Sequence, residues 1–245
     1  MKAEIISVGS EITSGQNLDT NSLWLSRRLA EIGIAVGFHT TVADDLADNV
    51  AVFRAAVGRA DLVIATGGLG PTLDDLTREV IAAVAGVELV EDAPSLAHIR
   101  EMFARRGREM PERNRVQALQ PAGADALFNA AGTAPGVWMT VGRALVAAMP
   151  GVPSEMYRMF EEQVKPRLLR AGVGGGVVVQ RKINSFGLGE SAERYEVVRL
   201  HPVEVVFGLR VDHAEHSVGV RLPVDVRDAV VVADDGHPRR GRGPA

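Results

Sequence analysis

Cysteine is absent from the 245 residues. Disulfides, thiolate zinc sites and a cysteine nucleophile are thereby excluded. Any metal must be held by carboxylate, histidine or carbonyl oxygen, which suits Mg²⁺ or Mn²⁺ and permits Co²⁺. Aromatic residues are scarce at 4%, so Val, Ala and Leu must fill the core that 46% hydrophobic residues allow. No apolar run reaches the ~18 residues a membrane helix needs. The start "MKAEIISVGSE" turns polar too soon for a signal peptide and reads as a first strand. A cytoplasmic protein is expected. A basic surplus is also lacking. A formal charge of −4 and a pI of about 5.9 give no electrostatic case for nucleic-acid or anionic-membrane binding.

What is present is an alternation. "AEIISVGSE", "AVGFHTTVADD", "DLVIATGG", "ADALFNAAGTAPG" and "ALVAAMPGVPSE" are apolar runs that end in turns, and they read as strands. Between them lie helical stripes. Leu25, Leu29 and Ile32 share one face, Val50, Phe53 and Val57 another, and Leu76, Val80 and Val84 a third. Ile99, Met102 and Phe103 mark a further helix, "PERNRVQAL" a short one, and Met156, Phe160 and Val164 the last of the region. Strands alternating with helices predict a mostly parallel sheet with helices on both faces, an α/β three-layer fold. After "AGVGGG" (171–176), a flexible linker, a smaller α+β unit is expected. It has strand "VVVQRKINSFGL", helix "GESAERYEVVRL", then strands "VEVVFGLRVD" and "HSVGVRL". The Gly/Pro/Arg-rich end (227–245) reads as disordered.

In such sheets ligands bind beyond the carboxyl ends of the strands. That rule gathers five loops: 9–15, 43–45, 66–75, 132–136 and 150–155. The central one is "TGGLGPTLDDLT". Gly67, Gly68 and Gly70 would let backbone amides approach a phosphate, although a glycine-rich turn by itself is more often only a turn. Thr66, Pro71 and Thr72 belong to the same stretch. Asp74 and Asp75 would complement the dipole of a helix first turn, or would hold a divalent cation with Asp44, Asp45 and Glu11 at neighbouring strand ends. These two readings weigh evenly. Gly132, Thr133, Pro135, Gly136, Pro150, Gly151, Pro153 and Glu155 would shape the remaining wall, with Asn21 after the first strand. Asn114 and Gln117 could read a base or ribose, but solvated surface is the favoured reading. The six histidines are scattered, and no serine sits in a G-x-S-x-G elbow.

Taken together, "VGSEITSGQNLDTNSLWLSRRLAEIGI", "TTVADD", "TGGLGPTLDDLT", "ERNRVQAL", "GTAPG", "PGVPSEM" and "FGLGES" resemble the CinA competence/damage-inducible family from Met1 to about Leu200. The resemblance implies a molybdopterin-binding-like α/β domain over 1–170 carrying the site, and a KH-like domain over 177–226. It implies metal-dependent hydrolysis of ADP-ribose to AMP and ribose 5-phosphate. Asp75, Asp74 and Asp44 would be catalytic, and Asp74, Asp75 and Asp45 would be metal ligands to Mg, Mn or Co. No organic cofactor is firmly implied. "Gly-Leu-Gly-Glu" is unconvincing as a nucleic-acid clamp, so the partner expected is a small-molecule nucleotide. Molybdopterin binding or adenylylation, and a non-catalytic nucleotide module, stay open as alternatives. Many members add a C-terminal nicotinamide-nucleotide deamidase domain, which is not expected within this chain. Self-association is common in domains of this type, so a homo-oligomer, in the simplest case a dimer, is expected.

Overall fold

A computed structural model of the chain describes residues 1–172, 193–200 and 203–211. Strand β1 (Lys2–Val8) is buried along almost its whole length, as is β3 (Leu62–Thr66). Continuous burial is what a strand covered on both faces requires. The short helix α1 (Ser10–Thr13) follows β1, and α2 (Thr20–Glu31) is capped by Asp19, whose side chain accepts from the Ser22 amide. β2 (Ala35–Val42) alternates between exposed and half-buried positions, the pattern of an edge strand. α3 (Leu46–Arg59) returns over the sheet to β3, and α4 (Thr77–Ala85) ends on left-handed Gly86.

Next come β4 (Leu89–Glu91), α5 (Ala93–Arg105), a 3₁₀ helix at Glu112–Ala118 and β5 (Leu119–Pro121), which pairs antiparallel with β4. β6 (Asp125–Leu127), β7 (Gly136–Val141) and β8 (Ala144–Met149) complete the main sheet. α6 (Pro153–Met159) runs through a π turn at Phe160–Val164 into α7 (Lys165–Arg170). Pro166 explains the π turn. Its ring cannot donate to an i−4 carbonyl and clashes with it, and a wider turn relieves both faults.

The sheet order is β2-β1-β3-β8-β7-β6. β2, β1, β3 and β8 are parallel, while β7 is antiparallel to both of its neighbours. Two apolar layers cover the two faces. Ile6, Val63, Phe53, Val80 and Ile81 pack on one side. Ile5, Ile64, Leu25, Leu29, Met156 and Phe160 pack on the other. The expected three-layer α/β architecture is therefore present. It places the carboxyl ends of β1, β2, β3 and β8 on one edge.

Four expectations are corrected. The helix expected from Asp74 starts at Thr77, so neither aspartate stands in its first turn. "PERNRVQAL" is mostly 3₁₀ rather than α. The β7–β8 hairpin was not expected. Its turn is only Gly142–Arg143, with Gly142 at φ 60, a short signal between two apolar runs. The helix expected over 189–200 gives way to strand β9 (Glu193–Leu200), paired with β10 (Val203–Val211). "ERYEVVRL" contains Tyr and two Val, whose χ1 restriction favours extended backbone. The linker beyond Gly172, the turn 186–191, most of the KH-like region and the tail lie outside the described residues, as do His201, His213, His216 and His237.

Candidate functional site

The strand-end loops converge on a crevice of about 490 Å³. Of the expected residues, Glu11, Asn21, Asp44, Thr66, Gly67, Gly68, Gly70, Thr72, Asp74, Asp75, Thr133, Pro150, Gly151 and Glu155 line it. Five of these are carboxylates, and no basic side chain is among the lining residues.

The glycine loop is built by its carbonyls. Gly67 takes φ 101 and Gly68 φ 65, left-handed values that a β-carbon resists. Thr77 Oγ1 donates to the Gly67 carbonyl at 2.8 Å, and the Thr77 amide donates to the Gly68 carbonyl at 3.0 Å. Arg78 Nη1 and Nη2 donate to the carbonyls of Leu69 and Gly70 at 2.8 and 2.7 Å. Four successive carbonyls are thus drawn to the buried side. In a planar trans peptide the N–H points opposite to the C=O. The amides of Gly68, Leu69 and Gly70 therefore turn the other way, and they meet no acceptor among the described residues. Successive outward amides form an anion-binding concavity.

Asp75 closes the same loop. Its Oδ2 accepts from the Thr72 amide at 2.9 Å and from Thr72 Oγ1 at 2.5 Å, leaving Oδ1 without a partner among the described residues. Gly70 makes this possible, because a β-carbon there would collide with the Asp75 carboxylate. Asp74 makes no hydrogen bond among the described residues. Asp44 Oδ2 accepts from the Ser10 amide at 2.8 Å, and Ser10 Oγ accepts from the Asp44 amide at 3.2 Å, which joins the β1 and β2 ends.

On the opposite wall Asn129 is the organiser. Its Nδ2 donates to the Ala134 carbonyl and to Glu155 Oε2 at 2.9 and 2.7 Å. Its Oδ1 accepts from the amides of Ala131 and Gly132 at 3.1 and 2.9 Å. A β-carbon at Gly132 would meet the Glu155 carboxylate as placed, so a larger residue there would displace that side chain. Asn21 Nδ2 donates to Thr66 Oγ1 at 3.1 Å and to the Gly151 carbonyl at 2.8 Å. It lines the crevice, yet its amide protons are committed to joining the β3 and β8 loops.

Several expected residues stand elsewhere. Asp45 caps α3, accepting from the Asp48 amide at 2.9 Å, and does not line the crevice. Its Oδ1 is committed to a helix end, apart from the carboxylates that line the crevice. Asn114 is buried, not solvated, and donates to Gln117 Oε1 at 3.0 Å. Gln117 is buried too and does reach the crevice wall, so Asn114 acts at one remove. Pro71, Gly132, Pro135, Gly136 and Pro153 support the loops without lining the space. Gly136 is a packing glycine under Met159 and the Ala148 carbonyl. Gly9, Ile12, Leu69, Ala134 and Val152 also line the crevice, each within a strand-end loop expected at the site though not singled out, while Val8 lies outside those loops. Sequence reasoning missed Thr77, Arg78 and Asn129 as supports. A signal existed for Arg78. It precedes Ile81 and Ala82 by three and four residues, so it lies on the buried stripe of α4.

Among the described residues, no three His, Asp or Glu come together as a metal-ligand set. The donors present fit a hard cation held by one or two carboxylates and completed by ligand phosphate oxygens and water, the usual manner of Mg²⁺. The open Oδ1 of Asp75 and the unengaged Asp74 are the donors in place.

A family model described as "Probable molybdopterin binding domain" matches residues 4–170. A CinA-like protein of Frankia casuarinae is 46% identical over 197 residues, covering 78% of this chain and 46% of that protein. A CinA-like protein of Dictyoglomus thermophilum is 46% identical over 191 residues, with the same coverage of 78% and 46%. The chain thus spans about half the length of these relatives. The solved structure of the protein CinA with unknown function from Thermoplasma acidophilum is 35% identical, with a TM-score of 0.63. The match covers 67% of this chain and 96% of that one.

Proposed function

The chain belongs to the molybdopterin-binding-domain family, in its CinA-like branch, and from that premise we propose that it hydrolyses the pyrophosphate bond of ADP-ribose to AMP and ribose 5-phosphate. One observation carries the reading. The outward amides of Gly68, Leu69 and Gly70 share a single crevice with Asp74, Asp75, Asp44 and Glu11. The amides hold phosphate oxygens, and the crevice is large enough for a nucleotide. Asp75, locked by Thr72, and Asp74 would hold a divalent cation, which would neutralise phosphoryl charge and make a water more acidic. Asp44, which lines the same crevice, would accept the proton of the attacking water. That water forms the new P–O bond as the bridging oxygen leaves with the departing phosphate. Glu155, held by Asn129, and the Thr133 loop bound the far end where ribose and base would lie.

Release of AMP from ADP-ribose, followed with and without Mg²⁺, Mn²⁺ or Co²⁺, tests this. Turnover is expected only with metal, and Asp75→Asn should lower kcat by at least ~100-fold. A wild type inactive under every metal, or a fully active Asp75→Asn, overturns it. The family model favours a second reading, a crevice that binds a molybdopterin without hydrolysing ADP-ribose. Tighter binding of molybdopterin than of ADP-ribose, with no turnover, would establish that one.

A further inference from the structure

Arg78 heads the largest side chains fully withdrawn from solvent. It lies behind the glycine loop, on the side away from the outward amides. Two of its nitrogens hold the Leu69 and Gly70 carbonyls, while Nε is buried with no partner. No carboxylate oxygen lies within 4.0 Å of it among the described residues. The charges that bear on it are those of Glu79 and Asp75. Burial pulls the guanidinium below the ordinary arginine value, and these two carboxylates partly offset that pull. Asp75 directs its Oδ2 to Thr72 instead, and Glu79 Oε2 is itself buried and unpartnered. Burying a guanidinium without a direct ion pair is costly. Satisfying two carbonyls needs only neutral donors, so tying down a turn does not by itself account for a cation here.

We propose that Arg78 is a positioning residue that makes the Gly67–Gly70 loop receptive to phosphate before any divalent cation arrives. This rests on the phosphate-ligand reading above. Two effects combine in one side chain. The fork of the guanidinium fixes the Leu69 and Gly70 carbonyls, so the Gly70 amide faces the crevice. Its charge, weakly screened because it is buried, opposes the repulsion that Asp74 and Asp75 would exert on an incoming phosphate. The acids beside the loop are thus balanced from behind by Arg78 and, later, from the front by metal. Phosphate capture and metal-assisted chemistry become separable steps.

The test is calorimetric titration of the full chain with inorganic pyrophosphate in EDTA, then with Mg²⁺. The wild type is expected to bind in EDTA. R78Q keeps donors but loses the charge, and should weaken that binding by about ten-fold or more, with part of the loss recovered on adding Mg²⁺. R78K keeps a cation but loses the fork that holds two carbonyls, so it should bind between wild type and R78Q. Unchanged far-UV circular dichroism would show that both variants are folded. R78Q binding like wild type in EDTA overturns the inference. So does a wild type that binds only once metal is present, and that outcome leaves the pyrophosphatase reading standing. A wild type that binds under neither condition overturns the inference, and the ADP-ribose hydrolysis assay with each metal then decides the pyrophosphatase reading. Should R78Q not fold, the metal-free wild-type titration and R78K decide, an R78K that binds like wild type in EDTA counting against the guanidinium fork.

Discussion

Asp44 and Asp45 are adjacent in sequence and differ in duty. Asp44 faces the crevice and receives the Ser10 amide, while Asp45 turns back to cap α3. Asp45→Ala should therefore cost about 1 kcal/mol of stability by denaturant unfolding and leave turnover and metal dependence unchanged. A loss of metal dependence would return Asp45 to the ligand set. Asn129 is the counterpart on the other wall. It is 3% exposed, and its four hydrogen bonds hold the 131–134 turn and Glu155. Asn129→Ala leaves those groups unpartnered, so it should cost about 2–3 kcal/mol. It should also raise KM more than it lowers kcat, because it frees a binding wall and not the reacting acids. An unchanged KM would mean that this wall is not used.

At the scale of elements, the decisive feature is the junction of β3 with α4. The strand ends at Thr66, the helix begins at Thr77, and the ten residues between them form the loop. Gly67→Ala is expected to be severe here. The residue sits at φ 101, and a β-carbon would run into the Val8 carbonyl on the neighbouring strand. Strain of this kind costs about 1–3 kcal/mol before the collision is counted. A lowered melting temperature together with lost ligand binding is the expected result. The equivalent change at Gly142, which has open space around it, should cost less. α4 was expected as a helix, but from the aspartates onward. Leu76, Val80 and Val84 set its period and say nothing about where its first turn closes. That point is set by Thr77 and Arg78 reaching back to the loop carbonyls.

At the scale of the whole molecule, the sheet separates two apolar layers that share no buried residue. Ile81→Val on one side and Ile64→Val on the other should each cost about 0.5–1.5 kcal/mol. The double variant should equal their sum within about 0.5 kcal/mol. A larger departure would show that the two layers respond as one.

The sequence by itself determined the α/β alternation, the buried strands, the glycine loop and the family, because these depend on local period, turn chemistry and short motifs. It also named most of the crevice lining, since the strand-end rule needs only the order of elements. Tertiary structure decided which acid faces the crevice, that Asn114 and Gln117 are interior, and that an arginine stands behind the glycines. Those outcomes depend on the register of strands far apart in the chain. Thr66, for example, lies opposite Met149 on one side and Ser7 on the other. No period within a single segment encodes that register; it follows from how the two apolar layers close over the sheet.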